Sequence, residues 1–196
     1  MAIYGVNYAE FEGGLLFKGN NRGIQGIIVH NSASAGNAFA TANYNKFATE
    51  DNIRKAFAHY YIDDKNVIQL ARENWLAWHS GKKEWNETTI GIEICVNPIH
   101  CDHQQNKTGF CDQKKCVMCS GITTRICKNN KADIDRFIEA ERVAYDLVTT
   151  LMAKYSLSED KVLFHHEVSR TACPFYTQKL HGISAGRDFL RIFREG

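Results

Sequence analysis

A chain of 196 residues, 44% of them hydrophobic, is long enough for one domain with a substantial core. Its formal net charge of +2 makes no global electrostatic case for nucleic acid or an anionic surface as partner, and no stretch reaches the ~18 apolar residues of a membrane span. The first fifteen residues, MAIYGVNYAEFEGGL, hold no lysine, arginine or long apolar run, so no secretory signal is expected, and seven cysteines in a reducing cytosol would favour metal or free thiol over disulfide.

Residues 1–25 place Gly13-Gly14, Gly19-Asn20 and Gly23 between short aromatic and aliphatic pieces, which predicts an irregular arm or a short edge hairpin. Residues 26–29 are a continuous apolar run, the pattern of a strand buried on both faces. It stops on His30 at a polar loop, and that histidine is either satisfied inside a core or presented at the strand's exit. Residues 37–56, with Phe39, Ala42, Asn43 and Phe47 followed by the charged stretch 49–55, then predict an amphipathic helix over the sheet and a polar connection. The runs 58–63 and 67–70, separated by Asp64-Lys65-Asn66, predict a hairpin.

The segment NWLAWHSG, 74–81, sets Trp75 and Trp78 beside His79. Aromatic faces suit sugar or peptide backbone and an imidazole can hydrogen-bond a polar substrate, while buried core tryptophan is the bland alternative. In TTIGIEICV, 88–96, the apolar run of a strand is interrupted by Glu93. A carboxylate there is costly unless it is paired or faces a polar site. It reads as a structural ion pair or, beside a metal, as a base.

Residues 97–131 crowd Cys101, Cys111, Cys116, Cys119 and Cys127 with His100 and His103. The CxxC formed by Cys116 and Cys119 can grip one tetrahedral ion, so a structural zinc knuckle is the preferred reading and a disulfide-stapled or reactive-thiol loop its rival. Which of the other five residues would complete the site stays open. Residues 133–155 follow helical spacing through Ile134, Phe137, Tyr145, Val148 and Leu151. The run VLFHHEVSRTACP, 162–174, reads as a short strand leading into a polar loop that carries His165, His166 and Cys173, and imidazole with thiolate suits Zn2+. A closing helix is predicted over 185–194, with Phe189, Leu190 and Phe193 inward.

Five segments, IIVHNSAS, AHYYIDDKNVIQL, AWHSG, TTIGIEI and HHEVSRTACP, occur in this order between residues 26 and 174. In that order they resemble the type-2 N-acetylmuramoyl-L-alanine amidases, the family that includes phage endolysins and animal peptidoglycan recognition proteins. The resemblance implies an α/β fold, a central mixed β-sheet flanked by helices, as a single catalytic domain over 1–196 with 97–131 as a Cys-rich insert. It implies Zn2+ held by His30, His165 and Cys173, with His166 in a packing or hydrogen-bonding role and Glu93 as catalytic base. It implies that His79 and Trp78 line the substrate groove. Thr171 stands where bacterial and phage members often carry lysine, and its hydroxyl would donate to the developing oxyanion. Ala58 stands where some members carry a tyrosine, which leaves the base role to Glu93.

The expected reaction is hydrolysis of the amide between N-acetylmuramic acid and L-alanine in bacterial peptidoglycan, by a monomer with no nucleic-acid or membrane partner. A phage or prophage endolysin, made in the cytoplasm and reaching the wall through a holin or after lysis, is the expected source. Two readings compete: a non-catalytic peptidoglycan-binding protein, and a zinc-finger nucleic-acid-binding module built on residues 101–127.

Overall fold

The computed structural model describes residues 7–10, 22–32, 37–50, 56–95 and 131–194. Its centre is a six-stranded sheet formed by β1 (Asn7–Glu10), β2 (Gly26–Asn31), β3 (Tyr60–Ile62), β4 (Asn66–Gln69), β5 (Thr89–Ile94) and β6 (Val162–Phe164). The spatial order is β1-β4-β3-β5-β2-β6. Only β3 and β4 run antiparallel, as the predicted hairpin; the other neighbours are parallel, so the sheet is mixed. The Cys-rich stretch with Cys116 and Cys119 lies outside the described residues, and so do the other candidate ligands of that site, His100, Cys101, His103, Cys111 and Cys127.

The central strands are apolar on both faces because both faces are covered. Alternation sends Ile27 and Val29 of β2, with Ile90, Ile92 and Ile94 of β5, to one side. There they meet α3 (Lys131–Tyr155) and α6 (Gly186–Arg194). Phe137, Ala140, Ala144, Leu147 and Leu151 recur every three or four residues along α3 and are fully buried, which is the helical period that makes one apolar stripe. Each large side chain so buried stabilises the fold by about 1.5–3 kcal/mol. The start of α6 crosses β6 so closely that a Cβ on Gly186 would lie 2.5 Å from backbone atoms of Val162 and Leu163; only glycine permits that approach.

The opposite face of the sheet carries Tyr61 and Ile68, packed against Ala38 and Ala42 of α1 (Ala38–Glu50) and against Phe57, Leu70 and Ala77. Three further helices are short: α2 (Lys83–Thr88), α4 (His165–Val168) and α5 (Phe175–His181). Of the stretch expected to be an irregular arm or a short edge hairpin, residues 7–10 form a strand that pairs in parallel with β4 at the sheet edge, and residues 1–6 and 11–21 lie outside the described residues. The expected loop after β6, up to Pro174, contains α4, and α5 follows it directly.

Candidate metal centre

Parallel strands deliver their C-terminal ends to one edge of a sheet, where α/β folds gather their ligands. Here the edge is shared by β2, β5 and β6. Register pairs His30 with Glu93 across β2 and β5, and Tyr61 with Glu93 across β3 and β5. Paired residues in a parallel ladder share a face, so His30, Glu93 and Tyr61 all face away from α3. On the other flank Val29 pairs with Phe164, which sets His30 beside His165, the first residue past β6. Their ring centroids are 4.5 Å apart.

Cys173 comes to the same point on the loop before α5. Its Sγ lies 3.8 Å from His30 Nδ1, and one ligand atom from each of His30, His165 and Cys173 falls within 4.8 Å of the others. No other such cluster occurs among the described residues. Asn31 ties the loop down: its backbone N–H donates to Cys173 Sγ at 3.4 Å, its Oδ1 accepts the amides of Tyr176 and Thr177 at 2.9 and 3.1 Å, and its Nδ2 donates to Thr177 Oγ1 at 3.1 Å. A strand residue thereby caps the open N–H groups of α5 from outside the helix.

Hydrogen bonds fix which nitrogen each imidazole offers. His165 Nε2 sits 3.1 Å from the Ser80 carbonyl, which only accepts, so Nε2 carries the proton and Nδ1 the lone pair. For His30 the deduction runs through His79. Thr89 Oγ1 donates to the Trp85 carbonyl, so it can only accept from His79 Nε2 at 3.5 Å. His79 Nδ1 is then the acceptor of the 3.1 Å bond from His30 Nε2, and His30 Nδ1, the atom facing Cys173, is free to ligate. A metal-binding histidine commonly donates its other N–H to an oriented acceptor in this way.

Burial holds these rings in their ligating, neutral form. It pushes His30 well below the ordinary histidine range, with His79 and His165 adding to the effect, lowers His79 to about 3 and lowers His165. The Cys173 thiol is pushed up, first by burial and then by the Glu93 carboxylate, so it would need a cation beside it to ionise. Two neutral imidazoles, one thiol and a nearby carboxylate suit a single divalent ion of the zinc type with one position left open.

The open side is a cavity of about 380 Å³ whose wall includes His30, His165, Glu93, Tyr61, Trp78, His79 and, from α1, Thr41 and Tyr44. Trp78 is half-buried in that wall. His79 reaches the cavity too, but its ring lies on the sheet against Gly91, where a Cβ would come within 2.5 Å of His79 Cγ. His59 is fully buried and its Nδ1 accepts the Gly91 amide at 3.0 Å. His166 turns away, its Nε2 donating to the Ser184 carbonyl at 2.9 Å. Thr171 is exposed on the ligand loop, and its hydroxyl oxygen accepts the Cys173 amide at 3.3 Å.

Sequence reasoning singled out neither Asn31 nor the Ser80 carbonyl nor Thr89. Asn31 had one signal, its place directly after a candidate ligand at a strand exit. The other two act through tertiary contacts that leave no trace in local pattern.

A mixed α/β sheet with a two-histidine, one-cysteine cluster beside a cleft at its strand ends defines the class: an α/β domain whose strand ends carry a cluster that could hold one metal ion. Solved structures share the fold. The structure of PlyL aligns with a TM-score of 0.64 at 21% identity, over 95% of this chain and 94% of that one, and the catalytic domain of XlyA with a TM-score of 0.63 at 23% identity, over 94% and 99%. The N-acetylmuramoyl-L-alanine amidase family model matches residues 20–175, and the chain belongs to that family. Curated relatives include endolysin PlyTW of Staphylococcus phage Twort, 28% identical over 83% of this chain and 28% of that protein. CwlA, an N-acetylmuramoyl-L-alanine amidase of Bacillus subtilis, is 26% identical over 76% of this chain and 42% of that protein. The chain thus spans less than half the length of these curated relatives.

Proposed function

We propose that the chain is a zinc-dependent amidase that hydrolyses the bond between N-acetylmuramic acid and the L-alanine of the peptidoglycan stem peptide, in a phage or prophage endolysin. The observation that carries the reading is the convergence of His30, His165 and Cys173 on one point, with His30, His165 and Glu93 lining one cavity, in a chain of the amidase family. When bound, Zn2+ supplies Lewis-acid polarisation of the scissile carbonyl and makes water acidic enough to attack at neutral pH.

The chain's own groups do the rest. His30 and His165 through Nδ1, with Cys173 through Sγ, would hold the ion. Glu93, on the same face as His30 and one strand away, takes the proton of the attacking water and returns it to the departing alanine amine. Thr171 already accepts the Cys173 amide, so its O–H remains to donate towards the oxyanion. Trp78 and Tyr44 flank the cavity and offer faces to sugar or peptide. Glu93 and a complete ligand set favour catalysis over binding alone.

Digestion of purified peptidoglycan tests the proposal. New N-terminal alanine with no new reducing sugar ends supports an amidase; reducing ends identify a glycosidase, and binding without either product identifies a non-catalytic wall-binding protein.

A further inference from the structure

The two histidine ligands come from β2 and from the residue after β6, yet both take their outer hydrogen bond from one short turn. His30 Nε2 donates to the His79 ring at 3.1 Å, and His165 Nε2 donates to the Ser80 carbonyl, also at 3.1 Å. The orientation of both imidazoles therefore depends on where residues 78–80 sit. The turn has no regular secondary structure; the Phe57 amide donates to the Trp78 carbonyl at 3.0 Å and the Ser80 hydroxyl bonds the Lys82 backbone, but neither bond fixes the His79 and Ser80 amides.

Those amides are held by Asn86. This side chain, 1% exposed on α2, directs Oδ1 at the turn. The amides of His79 and Ser80 donate to it at 3.0 and 2.9 Å, and the Ser80 hydroxyl lies within 2.9 Å. Asn86 is itself anchored through its backbone: its N–H donates to the Lys82 carbonyl at 3.0 Å, and its carbonyl accepts from Arg22 Nη1 at 2.5 Å. Arg22 also donates to the carbonyls of Glu73 and Thr89 at 2.8 and 3.0 Å. Asn86 is thus tied through Arg22 to the segment around Glu73 and to the start of β5 before it grips the turn. A buried acceptor with that many donors is more than solubility or helix formation requires, and an asparagine inside a six-residue helix has no propensity reason to be there.

We propose that Asn86 is a positioning residue for the metal centre, acting through the 78–80 turn to set the imidazoles of His30 and His165 together with Nδ1 facing the ion. The proposal rests on the reading of His30, His165 and Cys173 as a zinc site. Asn86 touches neither metal nor substrate. Removing its oxygen strands two buried amides and lets the turn relax, and both rings lose their fixed acceptors at once. Truncation of such an outer partner typically weakens metal binding about 10–100-fold.

The test uses the full chain and zinc with a competing chelator, following the ion that Cys173→Ser loses. Asn86→Ala should bind that ion about 10–100-fold more weakly, and Asn86→Asp, which keeps an accepting oxygen, should recover most of the loss. Leu147→Ala, in the core across the sheet, should lower the thermal midpoint and leave zinc affinity unchanged, which separates positioning from general destabilisation. Nitrogen-15 spectra of the metal-free chain give a second readout: His30 and His165 should both be Nε2–H tautomers in the wild type, and at least one should become mixed in Asn86→Ala. If Asn86→Ala does not fold, Asn86→Ser, whose hydroxyl is too short to reach both amides, is read by the same criteria. Wild-type affinity together with unmixed tautomers in the folded variant overturns the proposal and leaves the zinc site standing. A wild type with no ion dependent on Cys173 overturns the zinc reading, and this proposal with it.

Discussion

Replacing Gly91 with alanine should unseat His79 and, through it, His30. The new Cβ would lie 2.5 Å from His79 Cγ, 2.7 Å from Nδ1 and 2.8 Å from Cδ2, whereas carbon atoms rest at ~3.5–4.0 Å. The ring must therefore retreat by roughly 1 Å. The His79 backbone is held by Asn86 at 3.0 Å, so the ring has to yield by turning about its own side-chain bonds. Retreat opens the 3.1 Å bond to His30 Nε2 and strands a buried donor. Overpacking costs about 1–3 kcal/mol and an unsatisfied buried N–H about 1–3 kcal/mol, so the metal-free chain should lose about 2–6 kcal/mol of stability in urea unfolding with an unchanged m-value. Zinc affinity should fall by about 10–100-fold. A loss below about 0.5 kcal/mol, the range of an ordinary surface change, with zinc affinity intact would refute the idea that His30 is set from the sheet through His79.

Glu93→Gln should keep its zinc and lose about 10²–10⁴ in kcat on peptidoglycan, the usual contribution of a general base; metal analysis and a turnover assay check the two halves separately. Asn31→Ala removes the acceptor of two α5 amides and should cost about 1–2 kcal/mol in thermal unfolding, as loss of a cap does, with zinc affinity falling because the Cys173 loop is released. Zinc affinity should also depend on pH in a defined way. The imidazoles are held neutral by burial and the thiol is held protonated, so binding releases one proton, from Cys173. Log K should rise by about one per pH unit between roughly pH 7 and 8, measured by competition with a chelator of known pH dependence; a flat profile would mean the thiol is already ionised or is not a ligand.

Much of this architecture was readable before any coordinates because it rests on local pattern. The run 26–29, the hairpin about Asp64-Lys65-Asn66 and the stripe of α3 are periodic signals, and the structure has each of them. The elements that escaped reading have no such signal. α2, KEWNET, buries only Asn86 among its six residues, so no apolar face announces it, and α4 begins on a candidate ligand and lasts four residues. The site divides the same way. Residue type and strand-end position pointed to His30, to the His165-His166 pair and to Cys173, the family resemblance chose His165 of the pair, and the fold brings His30, His165 and Cys173 within 4.8 Å. The role of His79 is different in kind: a groove-lining residue was expected, and its ring does reach the cavity, yet its bond to His30 exists only because Gly91 of β5 leaves space for it. Register between distant strands decides that, and no window of sequence contains it.

The central claim is that one zinc ion held by His30, His165 and Cys173 performs the hydrolysis. Its most direct test is elemental zinc in the purified chain and in Cys173→Ser, read beside release of alanine-terminated peptide from peptidoglycan. The account predicts that the substitution removes one zinc per chain and abolishes release while the fold survives. Zinc content unchanged by Cys173→Ser, or peptide release that persists without that zinc, would contradict it.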